Sequence, residues 1–134
     1  MNQAVTDALR GHSLAVATPE GIRTFDGRGV ADLYRLLSQD PQPLKGASVA
    51  DKVVGRAAAA LMMAGGVREL YAQTVSELAL DMLHGSGIGL AYGRRVPHIL
   101  NRAGTGWCPL EAACRDCSTP EQCLAEIEKF IKSR

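Results

Sequence analysis

The chain of 134 residues has room for one domain, which can bury about two-thirds of its unfolded surface without disulfide bonds. Apolar residues make up 46% and charged residues 22%, a balance that excludes an intrinsically disordered chain. The 15 lysines and arginines nearly balance 14 aspartates and glutamates, so extended nucleic-acid binding is not expected.

The first ten residues are polar and carry both signs of charge, which argues against a secretory signal. No apolar run approaches the roughly 20 residues that a membrane-spanning helix needs. We therefore expect a cytoplasmic protein without membrane contacts. In that reducing compartment, cysteines are expected as thiols or metal ligands rather than disulfides.

The chain begins with a predicted helix and a predicted β-hairpin. Apolar spacing favours a short helix over residues 1–10, ended by Gly11. Residues 14–17 and 22–25 are expected to pair as strands, because Pro19 and Gly21 between them are typical of a tight turn.

Helices and strands alternate in the middle of the chain. The 3.6-residue apolar period after Gly29 predicts a helix that ends before Pro41 and Pro43. A strand is predicted over residues 47–54, and an alanine-rich helix over 56–64 is ended by a glycine pair.

The next strand is predicted over residues 70–73. Thr74 and Glu77 then have capping-box spacing, which predicts a helix ending near Gly85. The last strand is predicted over 88–92 and is expected to be short, because glycines surround it. Residues 96–118 are rich in Gly, Pro and Cys, and a helix restarts only at Thr119.

Strands that alternate with helices pair in parallel through right-handed crossovers, and the opening hairpin adds an antiparallel edge. The predicted fold class is therefore α/β: a three-layer sandwich with a five-stranded mixed sheet and helices on both faces. Residues 1–134 are expected to form one domain, with a core over 1–93 and a cysteine-rich tail with a terminal helix over 94–134.

This element order resembles the cytidine-deaminase-like fold, a scaffold shared by zinc deaminases and the transformylase of purine synthesis. Four sequence stretches further resemble an uncharacterised bacterial family, a domain of unknown function, on that fold. They are Leu44-Lys45-Gly46-Ala47, residues 51–59, Ser76-Glu77-Leu78-Ala79-Leu80 and residues 101–109. The resemblance implies an architecture and adds little about activity.

A zinc deaminase needs a His or Cys ligand at one helix start, followed two residues later by a proton-shuttling Glu. At the next helix start it needs a Pro-Cys-x-x-Cys pair, so that zinc can activate water. The matching positions here, residues 27–32 and 53–57, contain neither a thiol nor an imidazole. Zinc-dependent deamination is therefore excluded by ligand count. If the domain is an enzyme, it is expected to work without that zinc.

Two loops at the predicted strand ends could bind an anion, because helix N-termini present free backbone N–H groups there. The first offers Arg28 and Gly29. The second offers a proton-transfer pair, Asp51 and Lys52, followed by Gly55 and Arg56. The alternative is that the glycines only turn the chain and the charged side chains are solvated.

A third loop contains Asn101, Arg102 and Thr105 in a glycine-rich segment that ends at Trp107. It could cover a bound ligand, but it lacks the Gly-Lys-Ser/Thr of a phosphate-binding Walker A loop. The alternative is a structural turn anchored by Trp107.

Cys108, Cys114, Cys117 and Cys123 lie within 16 residues, an unusual density for an intracellular chain. Four thiolates can bind a tetrahedral zinc (Zn) or a 4Fe–4S cluster, although the spacing matches no standard signature of either. Disulfides and unliganded thiols are the alternatives.

Three functions remain open at this point. The first is a binding module for a small anionic or nucleotide-like ligand at the strand carboxyl ends. The second is a zinc-independent enzyme using Lys52 and Asp51, and the third is an iron–sulfur or zinc protein whose cysteines form the functional centre. A homo-oligomer is also possible, since the sheet has exposed edges.

Overall fold

The computed structural model describes residues 3–40 and 42–133. Met1, Asn2, Pro41 and Arg134 lie outside the described residues, so the predictions that involve them are not assessed at those positions. Helices and strands follow one another in the predicted order, with one additional helix in the tail.

The described residues form five strands and six helices. The strands are β1 (Leu14–Thr18), β2 (Gly21–Phe25), β3 (Ser48–Val54), β4 (Glu69–Ser76) and β5 (Gly89–Val96). The helices are α1 (Gln3–Ala8), α2 (Ala31–Gln39), α3 (Arg56–Gly65), α4 (Glu77–Leu83), α5 (Pro109–Cys114) and α6 (Pro120–Lys132).

The strands form one mixed sheet in the order β2-β1-β3-β4-β5. β1 pairs antiparallel with both β2 and β3, whereas β3, β4 and β5 run parallel to one another. This confirms the predicted α/β class and the five-stranded mixed sheet with an antiparallel hairpin. The cytidine-deaminase-like name for the fold stays a prediction.

Helices cover the two faces of the sheet unequally. The short helix α1 covers β1 and β3 on one face, where Val5 packs against Ala15 and Ala50. On the other face lies the main core, in which α3 contacts α2, α4, α5 and α6. The four alanines at positions 57–60 of α3 are almost completely buried, which allows this helix to lie close to its neighbours.

Three local predictions were wrong. The side chain of Ser76, not Thr74, caps α4 by accepting a hydrogen bond from the Ala79 N–H, because β4 continues through Thr74. β5 extends to Val96 and passes through Gly93, whose ideal Cβ would come within 3.1 Å of the Gln73 carbonyl oxygen. The helix α5 lies in the tail segment for which no helix was predicted.

Candidate metal centre

Cys114, Cys117 and Cys123 converge at the corner between α5 and α6. Cys114 is the last residue of α5, and the Cys117 N–H bonds to its carbonyl oxygen at 3.0 Å in a tight turn. Thr119 then caps α6, with its side chain accepting a hydrogen bond from the Gln122 N–H at 3.2 Å. This cap starts α6 so that Cys123, in its first turns, faces back toward the other two cysteines.

The three thiols form a compact buried group. Their Sγ atoms all lie within 4.8 Å of one another, and Cys114 and Cys123 have no exposed surface. All four cysteines of the chain are free thiols. Cys108, which the sequence placed in the same site, is half-buried against the main core and does not belong to this group of ligand atoms.

The thiols in this group differ in acidity. A hydrogen bond from Cys114, aided by the nearby charge of Arg56, lowers the pKa of the Cys123 thiol to about 7, despite its burial. The same hydrogen bond raises the pKa of Cys114, and burial raises that of Cys117. At neutral pH, Cys123 is thus the thiol that carries negative charge most readily, and the others donate hydrogen bonds to it.

Arg56 holds the turn that contains these cysteines against the start of α3. Its Nε donates a hydrogen bond of 3.0 Å to the Cys117 carbonyl oxygen, and its Nη1 donates one of 2.7 Å to the Leu78 carbonyl oxygen. The sequence suggested Arg56 as a ligand-binding cation. In the structure its guanidinium joins the cysteine turn to α4 and places a positive charge near Cys123, and the ligand-binding role of Arg56 stays a prediction.

Glu111 is a buried residue that the sequence analysis missed. It is 2% exposed, and its Oε1 and Oε2 accept hydrogen bonds from the backbone N–H groups of Arg56 and Ile99, at 2.8 and 2.9 Å. The segment from Cys108 to Glu111 has a signal for this helix: proline in the first turn and glutamate two residues later. This signal for a helix was overlooked because the surrounding residues are rich in glycine, proline and cysteine.

Gly55 serves this same contact. Its backbone is extended, so its φ does not require glycine, but an ideal Cβ there would lie 2.9 Å from Glu111 Oε1 and 3.1 Å from Ile99 Cγ1. Gly55 therefore makes room for the carboxylate that caps α3. This close contact explains why position 55 is a glycine, and the ligand-binding role of Gly55 stays a prediction.

Asp51 and Lys52, the predicted proton-transfer pair, lie on opposite faces of the sheet. Asp51 is paired with Leu14 of the main core, and burial raises its carboxyl pKa to about 7. Lys52 is exposed and lines a cavity on the α1 face. Successive side chains of a strand alternate between faces, so these two groups do not meet.

The loop before α2 holds Arg28 and Gly29, both exposed. Gly29 has a φ of +57°, a left-handed conformation that favours glycine at this turn. The buried side chain of Asp32 closes the loop by accepting a hydrogen bond of 2.7 Å from the Gly27 N–H. The proposed anion-binding roles of Arg28 and Gly29 stay predictions.

Asn101 and Thr105 stabilise the turn in which they lie. The Thr105 N–H donates to Asn101 Oδ1 at 3.0 Å, and the Asn101 side-chain amide donates to Thr105 Oγ1 at 3.2 Å. The base of the turn is closed where His98 stacks on Trp107 with ring centroids 4.1 Å apart. These contacts account for a structural turn, whereas ligand contact by Asn101, Thr105 or the exposed Arg102 stays a prediction.

Comparison with known proteins places the chain in a family and confirms its fold. Residues 7–131 match the family described as a domain of unknown function, DUF1893. The fold is similar to a 2.70 Å crystal structure of a DUF1893 family protein from Thermotoga maritima, with a TM-score of 0.87 and 22% identity over 96% of this chain and 88% of that one. No curated protein matches the sequence.

None of the helices in the described part of the chain is long and apolar enough to cross a membrane.

Proposed function

Because the chain belongs to the DUF1893 family, whose function is unknown, we propose from its own geometry that Cys114, Cys117 and Cys123 bind one zinc ion as thiolates. The observation that carries the proposal is the mutual approach of the three buried Sγ atoms to within 4.8 Å. The ion would link α5, the turn after it and α6, and Arg56 would fix that unit on α3 and α4.

The sulfur spacing favours a single ion over an iron–sulfur cubane. Thiolates that share a tetrahedral zinc, with Zn–S bonds of about 2.3 Å, lie about 3.8 Å apart. In a 4Fe–4S cluster each cysteine binds a different iron, so the cysteine sulfurs lie further apart than around one ion. The observed separation fits the shared ion, and we therefore choose zinc between the two metal centres that the sequence left open.

The fourth position of this zinc is filled by water in the proposed site. Cys108 lies outside the group of ligand atoms. Glu126 lies three residues after Cys123, but its Oε2 pairs with Lys129 Nζ at 3.4 Å. Arg56 offsets part of the negative charge that three thiolates bring to the site.

Metal analysis of the purified protein, with single serine variants, tests this proposal. Wild-type protein and Cys108→Ser are expected to bind one zinc per chain, and each variant of Cys114, Cys117 or Cys123 is expected to bind at least tenfold more weakly. Far-UV circular dichroism of each variant separates ligand loss from unfolding. An equal loss in Cys108→Ser, or a folded wild type without zinc affinity, would refute the site.

Anaerobic purification separates zinc from an iron–sulfur cluster. A single zinc site gives a colourless protein without inorganic sulfide. A brown protein that contains iron and sulfide in a fixed ratio would replace the proposed ion with a cluster.

A further inference from the structure

A cavity of about 480 Å³ opens on the face of the sheet that carries α1. Its walls include Arg10 in the turn after α1, Lys52 on β3, and Tyr71 and Gln73 on β4. The volume lies within the range of about 300–1,000 Å³ that small-molecule sites occupy. The cysteine group lies among the helices on the opposite face of the sheet, so the two sites are separate.

The charges around this cavity favour an anion. Arg10 and Lys52 are both exposed and supply two cationic groups to its walls. Asp7 is the carboxylate that also lines it, and Asp7 Oδ1 accepts a hydrogen bond of 3.0 Å from the Gln3 side-chain amide. A single phosphate or carboxylate group would therefore meet more positive than negative charge here.

The neighbouring strand β4 adds an aromatic side chain to this cavity. Tyr71 is half-buried and packs against the apolar cluster beneath α1. Its hydroxyl lies beside Gly93 of β5, where an ideal Cβ would come within 3.1 Å of that oxygen. The absence of a side chain at Gly93 thus lets Tyr71 extend along the sheet, with Gln73 beside it as a hydrogen-bonding group.

We propose that this cavity binds a small anion that carries a flat ring, of the class of aryl phosphates. Lys52 and Arg10 hold the anionic group, Tyr71 contacts the ring, and the Gln73 amide bonds to a polar substituent. The site gives Lys52 an anion-binding role that needs neither Asp51 nor the loop residues Arg28 and Arg102, which do not line the cavity.

Titration of ¹⁵N-labelled protein with phenyl phosphate tests the proposal, with inorganic phosphate and phenol as partial probes. Chemical-shift changes are expected at the backbone amides of Arg10, Lys52, Tyr71 and Gln73. Phenyl phosphate should bind more tightly than either partial probe, because each reproduces only one of the two contacts.

Single substitutions test which side chains contact phenyl phosphate. Lys52→Gln is expected to weaken phenyl phosphate binding about tenfold, as for loss of one charged hydrogen bond, while Lys45→Gln, an exposed lysine outside the cavity, leaves it unchanged. Tyr71→Leu should reduce the advantage of phenyl phosphate over inorganic phosphate. The Lys52→Gln variant removes no buried contact, so its fold should persist.

Three results would overturn the proposal. They are shift changes that map to residues 27–29 or 101–105 instead, equal weakening by Lys45→Gln and Lys52→Gln, or no shift changes at millimolar phenyl phosphate. None of them bears on zinc binding by the cysteines, and loss of the zinc site would not alter this titration.

Discussion

Glu111 caps the start of α3 from 55 residues further along the chain, with its Oε1 accepting a 2.8 Å hydrogen bond from the Arg56 N–H. Its second oxygen accepts from Ile99 N–H in the segment after β5. Negative charge at a helix N-terminus is favourable, and here the carboxylate is almost fully buried. One side chain thus joins the tail to the central helix beside the cysteine turn.

Glu111→Gln is expected to lower the free energy of unfolding by about 2–3 kcal/mol. The glutamine oxygen can replace one acceptor, but its NH₂ group would then face a backbone N–H. Urea unfolding measures the loss, and Glu128→Gln on the exposed side of α6 is the control, with a change near zero. Equal stability of the two variants would contradict the capping role.

Gly55→Ala tests the close approach of this carboxylate. The added Cβ would lie 2.9 Å from Glu111 Oε1, so Glu111 or the start of α3 must shift. A loss of about 1–3 kcal/mol is expected. Gly89→Ala is the control, because Gly89 has no positive φ and its added Cβ would make only an ordinary contact, 3.7 Å from the Glu69 Cβ. A fully stable Gly55→Ala would show that Glu111 has room to move.

Arg56→Lys tests the link between the cysteine turn and α3. Lysine keeps the positive charge but cannot donate simultaneously to the carbonyl oxygens of Cys117 and Leu78 in the geometry of guanidinium. We expect zinc affinity to fall about tenfold, as for other residues that orient metal ligands. Competition with a chromophoric chelator measures it.

Arg95→Lys is the matched control, since Arg95 is exposed and pairs with Glu77 at 2.9 Å away from the cysteines. If both arginine variants bind zinc as tightly as wild type, Arg56 does not support the site.

Asp51 gives the protein a specific pH dependence. Burial raises its carboxyl pKa from 3.8 to about 7, so the folded state keeps this proton at pH values where the unfolded chain has lost it. The free energy of unfolding therefore falls as the pH rises from about 4 to about 7, by an amount of about 4 kcal/mol from this group.

Asp51→Asn removes this titration while its side-chain oxygen can still accept the hydrogen bond from the Val53 N–H. The variant should match wild type below pH 4 and be more stable above pH 7. Urea unfolding at a series of pH values gives the free energy of unfolding of both proteins. In the difference between the two curves, the contributions of the other carboxyl groups cancel. A flat difference would show that Asp51 titrates normally.

The sequence predicted the sheet well because its signals are local. The turn at Pro19 and Gly21 identified the hairpin, and Thr119 followed by Pro120 marked the start of α6. The extent of β5 depends instead on pairing with β4. A glycine generally weakens a strand. At Gly93, however, the Gln73 backbone and the Tyr71 hydroxyl approach so closely that a larger side chain would not fit.

The site was only partly predictable. Cysteine density pointed to the correct segment, but which thiols meet depends on α5, which separates Cys108 from Cys114 by one helix. The opposite placement of Asp51 and Lys52 follows from strand alternation, which was available in the sequence once residues 47–54 were assigned as a strand. The contacts of Glu111 are long-range, and no local pattern specifies them.

X-ray absorption at the zinc edge of the reconstituted protein tests the central claim most directly. We expect three sulfur neighbours at about 2.3 Å and one oxygen neighbour at about 2.0–2.2 Å, with the spectrum unchanged in Cys108→Ser. Four sulfur neighbours in wild type that fall to three in Cys108→Ser, or a shell without sulfur, would contradict a site made by Cys114, Cys117 and Cys123 alone.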